Sequence, residues 1–194
     1  MTNLRFVITG GPGAGKTATL DALAARGFHC VPESARAIIR KRKESGLSPR
    51  PSPEHFGAEM LKEDMARYRG TPIENHPVFF DRGVCDALAF LSLYGVTSVA
   101  EVEAHVKEFR YNDLVFLLPP WPEIYRKDAE RDQSFTEAIA VYESLRQWYT
   151  HWRYHLVEVP RGNVEERADF ILKTIQAALI RQSTPRLGCR MQQS

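Results

Sequence analysis

Leu4-Arg5-Phe6-Val7-Ile8-Thr9-Gly10-Gly11-Pro12-Gly13-Ala14-Gly15-Lys16-Thr17 is the stretch on which the fold turns. Its first part, Leu4 to Thr9, is a short apolar run with β-branched residues that meets glycine at once, the pattern of a buried strand entering a tight turn. Its second part fits G-x-x-x-x-G-K-[ST], and the sequence from Lys16 to Arg26 reads as a helix. Strand, glycine-rich loop and helix in that order make an anion nest. Backbone N–H groups can turn toward phosphate oxygens, and the helix adds the positive end of its dipole. The expected phosphate-binding set is Gly10, Gly11, Pro12, Gly13, Ala14, Gly15, Lys16, Thr17 and Ala18. Lys16 is suited to reach the β- and γ-phosphates of a nucleotide, and Thr17 to offer its hydroxyl to magnesium.

Four further strands follow outward from this point: Phe28 to Pro32, Val78 to Phe80, Leu114 to Leu118 and Tyr154 to Val159, separated by helix-like sequence. That alternation predicts an α/β fold, a doubly wound parallel five-stranded sheet with helices on both faces. Helix starts are signalled by Ser52-Pro53 and by Ser98…Glu101, Ser134…Glu137 and Asn163…Glu166 at or near capping-box spacing. Ala138, Tyr142, Leu145, Tyr149 and Trp152 recur at helical intervals, as do Ala168, Ile171, Leu172, Ile175 and Leu179, so both stripes are expected to cover the sheet.

With 194 residues, one domain over residues 1–182 is expected. Residues 183–194 lose periodicity and predict a loosely ordered tail. A net charge of +2 leaves no global attraction for nucleic acid or an anionic membrane. No apolar run approaches the roughly 18 residues of a membrane span, and Met1 to Phe6 lead into a strand rather than a cleavable signal. Cys30, Cys85 and Cys189 lack redox or metal spacing, so a cytoplasmic protein is expected. His151 and His155 stand four apart without a completing ligand and read as surface residues.

Three polar clusters fall where a ligand would lie. Asp81-Arg82 ends the third strand, on the ligand-binding edge of a parallel sheet. Asp81 can serve magnesium or cap a helix, and Arg82 can hold substrate hydroxyls or an anion; Asp86 reads as a solvated or capping residue. Glu33 ends the second strand, as a base for an attacking hydroxyl or as an ordinary partner of Arg36. Arg36, Arg40 and Lys43 share one helical face, either a basic wall for an acidic acceptor or a solvated surface. The charged segment Trp121 to Asp132 follows the fourth strand, and Arg126 and Arg131 in it are candidates to stabilise a transferred phosphoryl group, or else belong to a surface network with Asp128, Glu130 and Asp132.

The runs Val31-Pro32-Glu33-Ser34-Ala35-Arg36, Phe80-Asp81-Arg82-Gly83 and Tyr125-Arg126-Lys127-Asp128-Ala129-Glu130-Arg131, taken with the phosphate loop, resemble small P-loop kinases of nucleosides and nucleotides. More narrowly they are similar to the P-loop AAA-type domain grouped with the ribosylnicotinamide kinase part of NadR. The resemblance spans about residues 4–180 and implies the strand order 2-3-1-4-5, ATP with magnesium, a lid over the phosphates, and base contacts from the loop Pro160 to Val164. The chain looks too short for the helical lid domain of the larger AAA machines. The fourth strand carries no acid, which leaves magnesium to Thr17 and Asp81. No Asn/Thr-Lys-x-Asp run follows the later strands, so ATP is preferred to GTP.

The function expected is a small-molecule kinase. Lys16, Glu33, Asp81, Arg126 and Arg131 would be catalytic, and Glu33, Arg36 and Arg82 would contact the acceptor, with Glu33 as base and Asp81 as substitute. The partners are then ATP and a hydroxyl- or phosphate-bearing metabolite. The alternative is an ATPase or GTPase switch without a small-molecule acceptor, and a third reading is a kinase of a macromolecule.

Overall fold

The computed structural model describes residues 3–125 and 134–183. Arg126 and Arg131 lie outside the described residues, as does all of the expected tail except Ser183. In chain order the elements are β1 Arg5–Gly10, α1 Lys16–Ala25, β2 His29–Val31, α2 Ser34–Glu44, α3 Pro53–Gly70, β3 Val78–Asp81, α4 Val84–Leu93, α5 Val99–Glu108, β4 Leu114–Leu118, α6 Phe135–His151, β5 His155–Glu158 and α7 Val164–Ser183.

Both faces of the sheet are apolar because successive side chains of a strand point to opposite sides. Phe6 and Ile8 of β1 join Phe79, Phe116 and Leu118 on one face, beneath Leu20 and Leu23 of α1 and Ala168, Ile171 and Ile175 of α7. Val7, Val31, Val78, Phe80 and Val115 form the other face, covered by Val84 and Leu88 of α4, Val102 and Val106 of α5, and Leu145 and Tyr149 of α6. Each large apolar side chain buried in this way contributes roughly 1.5–3 kcal/mol. Trp152, the last residue of the expected stripe, packs against the second cluster, and Trp148 packs beside it.

The five strands run parallel in the order β2-β3-β1-β4-β5. Registers Ile8 to Asp81 and Gly10 to Leu118 bring the carboxyl ends of β1, β3 and β4 to one edge, where open α/β sheets bind their ligands. Helix starts at Ser98, Ser134 and Asn163 carry the reciprocal bonds to Glu101, Glu137 and Glu166 that their spacing predicts. Ser52 differs: α3 does begin at Pro53, but the Ser52 hydroxyl pairs with the His55 ring instead of capping the backbone. Among the described residues no helix is long and apolar enough to cross a membrane.

Candidate active site

The phosphate loop closes at Gly15, whose φ of 82° is left-handed and which stands at the N-cap of α1 without a side-chain cap. The first N–H groups of α1 are therefore left to an incoming anion. A Cβ at Gly15 would come within 2.4 Å of the Arg167 guanidinium, and one at Gly13 (φ 76°) within 2.4 Å of the Tyr125 ring. The segment after β4 and the start of α7 thus press directly on the loop, and only glycine leaves them room.

Lys16 is buried, and its ammonium donates to the carbonyls of Gly10 at 3.1 Å and Gly11 at 2.8 Å. Burial, reinforced by the charge of Arg82, brings its pKa down to about 8. A phosphate beside it would restore the charged form.

Arg82 has φ 66°, a left-handed conformation uncommon for a side chain of this size, and its backbone N–H is tied to the Ile8 carbonyl at 3.0 Å. The turn sends its guanidinium to Glu33 Oε1 at 2.9 Å and Asp86 Oδ1 at 3.1 Å. Arg36 donates to the other oxygen of Glu33 at 3.2 Å. Burial would raise the Glu33 pKa, but Arg82, Lys16 and Arg36 together outweigh it and hold the carboxyl below its usual range. Glu33 is consequently ionised at neutral pH. The pairing with Arg36 is real, and it coexists with Glu33's place at the ligand edge.

Asp81 is 6% exposed, and its Oδ1 has no hydrogen-bond partner. Burial, with Glu33 second, pushes its carboxyl up to about 6. Asp86 is not solvated. It is buried and accepts from the Thr9 hydroxyl, from Tyr149 at 2.6 Å, from Arg82 and from the Gly83 N–H at 3.2 Å, so its capping role is one part of a buried hub that holds Arg82.

One cavity of about 840 Å³ takes in both halves of the site. Pro12, Gly13, Gly15, Lys16, Thr17 and Ala18 line the phosphate half; Glu33, Arg36 and Arg82 line the other. Gly10, Gly11, Ala14 and Asp81 are not among the residues that line the cavity. The basic face of α2 divides: Arg36 lines the cavity, whereas Arg40 and Lys43 are exposed and take no part.

Magnesium favours hard oxygen ligands and takes one or two from protein, the rest from phosphates and water. Thr17 on the cavity wall and the partnerless oxygen of Asp81 fit that demand, and among the described residues no cluster of three or more His, Cys, Asp or Glu offers a full cage.

Two polar residues at the site were not foreseen from sequence. Arg167 of α7 is 5% exposed, lies 3.4 Å from the carbonyls of Ala14 and Gly15, and stands 5.6 Å from the centroid of Trp121. Asp64 of α3 is buried at the far wall of the cavity with Ser34 as its hydrogen-bond partner, and burial pushes its carboxyl up to about 7. In sequence both look like ordinary helical charges. The one available signal for Asp64 is its i, i+4, i+8 alignment with Phe56 and Met60.

This loop-and-edge arrangement on a 2-3-1-4-5 sheet is that of P-loop nucleotide-binding proteins. The chain belongs to the AAA domain family, whose model matches residues 5–167. A comparison with curated proteins finds no match. Among solved structures, the chain is similar to deoxyadenosine kinase from M. mycoides with bound dATP, at 12% identity and a TM-score of 0.59, covering 89% of this chain and 99% of that one. Shikimate kinase from Acinetobacter baumannii in complex with shikimate is similar at 16% identity and a TM-score of 0.56, covering 94% and 97%. YorR protein from Bacillus subtilis in complex with phosphorylated GDP is similar at 11% identity and a TM-score of 0.59, covering 91% and 98%. At these identities the likeness is one of fold, and the fold is shared with small-molecule kinases.

Proposed function

We propose that the protein is a magnesium-dependent kinase that transfers the γ-phosphoryl group of ATP to a hydroxyl or phosphate of a small metabolite. The observation that carries this reading is the single cavity running from the phosphate loop to Glu33 and Arg82. A protein that only bound or hydrolysed a nucleotide would have no need for a second chamber lined with a paired carboxylate and arginines.

For a hydroxyl acceptor, the loop N–H groups and Lys16 bind the donor phosphates, the ammonium exchanging the carbonyls of Gly10 and Gly11 for phosphate oxygens. Thr17 and Asp81 would hold magnesium, which supplies charge neutralisation between the β- and γ-phosphates. The acceptor hydroxyl sits against Glu33, oriented by Arg36 and Arg82. Its oxygen forms a bond to the γ-phosphorus as the bond to the β,γ-bridging oxygen breaks, its proton passes to Glu33, and ADP leaves. Because the transferring group is loosely bonded in the transition state, a carboxylate of low pKa suffices as the proton acceptor. Arg126 and Arg131 are assigned, from their place in the chain after β4, to the charge on the moving group.

Incubation of the purified protein with γ-labelled ATP, magnesium and a metabolite panel tests the reading. A labelled product dependent on one acceptor class is expected. ATP turnover that is the same with every acceptor and with none would overturn it and point to a nucleotide-dependent switch.

A further inference from the structure

Arg167 stands in the first turn of α7, where its backbone N–H donates to the Asn163 carbonyl at 3.2 Å, and its side chain is buried against the phosphate loop. Its Nη1 lies 3.4 Å from the Ala14 carbonyl and 3.4 Å from the Gly15 carbonyl. One nitrogen is shared between two acceptors, and shared contacts are longer than single ones. Among the described residues its Nε has no hydrogen-bond partner and no carboxylate pairs with it. The other buried arginine of the site, Arg82, has both Glu33 and Asp86. Burial without an acid lowers the Arg167 pKa, yet a guanidinium keeps its charge. A buried cation left without an anion is costly, and an anion bound nearby offsets that cost.

The two carbonyls that Arg167 touches belong to the peptide units whose N–H groups are those of Gly15 and Lys16. These donors stand at the start of α1, which no side chain caps. A peptide unit is planar, with its C=O and N–H dipoles aligned, so a cation at the oxygen polarises the unit and makes its N–H a stronger donor. The positive end of the helix dipole acts at the same point. The Trp121 ring, 5.6 Å from the guanidinium, keeps water from part of it and so strengthens the charge's reach. The same turn places Tyr125, whose N–H donates to the Trp121 carbonyl at 3.1 Å, against Gly13.

We propose that Arg167 is a positioning residue of the donor site: held to the loop through the Ala14 and Gly15 carbonyls, it strengthens the Gly15 and Lys16 N–H groups as phosphate donors without touching the nucleotide. Affinity should then depend on the charge of Arg167 and on the charge of the phosphate chain. This rests on the phosphate-loop half of the kinase reading, and it requires neither an acceptor nor transfer.

The test is calorimetric binding of ATP, ADP and inorganic tripolyphosphate, each with magnesium, to the full chain and to Arg167→Met and Arg167→Lys. Arg167→Met should weaken ATP and tripolyphosphate alike, by roughly five- to thirtyfold, and ADP by less. Arg167→Lys, which keeps the charge, should stay within about threefold of the unaltered protein for all three. Should Arg167→Met show no cooperative unfolding transition, Arg167→Gln, equally neutral, takes its place. Loss of ATP affinity with tripolyphosphate unaffected would overturn the inference, because Arg167 would then touch the base or ribose. Equal losses in the neutral variant and in Arg167→Lys, equal losses of ATP and ADP, or no loss at all would overturn it too, since shape rather than charge would be at work. Phosphoryl transfer to the metabolite panel is measured on the same proteins. Charge-dependent binding without transfer to any acceptor would leave this inference standing and overturn the kinase reading, whereas transfer without charge-dependent binding would do the reverse.

Discussion

Lys16 holds its charge at a cost in this structure: it is buried, bonded only to neutral carbonyls, and brought down to about 8. A phosphate bound beside it would relieve this state, so on the proposed reading Lys16→Ala should reduce ATP turnover by roughly 10²–10³-fold, as loss of a transition-state charge contact does. Turnover at the unaltered rate would remove the phosphate-cradle assignment. Asp81→Asn takes away the partnerless oxygen, and half-maximal turnover should then require roughly tenfold more magnesium; an unchanged magnesium titration would dismiss Asp81 as a ligand. Asp64 carries a prediction with a sign that runs against intuition. Its carboxyl is raised from 3.8 to about 7, so the folded protein holds that proton more tightly than the unfolded chain does. Stability from this group is therefore full below about pH 4 and is lost as the pH rises toward 7. Asparagine does not titrate, so Asp64→Asn should gain on the unaltered protein across that window, by an amount on the order of a few kcal/mol. Denaturant titrations at pH 4, 5.5 and 7 measure the gap, and a constant gap would refute the raised carboxyl.

At the scale of elements, the junction of loop and α1 is the point of least tolerance. Gly15→Ala would place a side chain at φ 82° and drive it into the Arg167 guanidinium. Backbone strain alone is worth roughly 1–3 kcal/mol, so scanning calorimetry should show a lower melting temperature together with weaker ATP binding. The start of α6 is a milder case. Ser134 and Glu137 satisfy one another's backbone there, and Ser134→Ala should cost about 1 kcal/mol of stability in denaturant unfolding with ATP affinity unchanged. A loss of nucleotide binding in Ser134→Ala would mean that the helix start does more than cap. Such local signals were legible because a capping box uses residues three apart. Ser52 shows the limit of the rule: the helix begins where expected, yet His55 competes for the hydroxyl.

For the molecule as a whole, ligand binding and folding should be linked through the central cavity. ATP with magnesium at about 100 times its dissociation constant should add roughly 2.7 kcal/mol of stability, and Lys16→Ala should abolish most of that gain. Thermal unfolding with and without nucleotide checks both, and a shift retained in Lys16→Ala would place the nucleotide elsewhere. What the sequence by itself determined is whatever short-range chemistry encodes: the phosphate loop, the strand ends carrying Glu33 and Asp81-Arg82, four helix starts, three of them with the expected cap, and an apolar pattern that permits only a sheet covered on both faces. The tertiary structure decided the roles that depend on a distant partner. Arg82 became the link between Glu33 and Asp86 because its backbone turns left-handed at the end of β3. Asp86, read as a surface or capping residue, is buried because Thr9 and Tyr149, 77 and 63 residues away, supply its donors. Asp64 and Arg167 look like solvent-facing charges in their own helices, and only the packing of α3 and α7 carries them to the cavity. A side chain's charge and period are local properties, whereas its burial and its partners are set by segments far away in the chain.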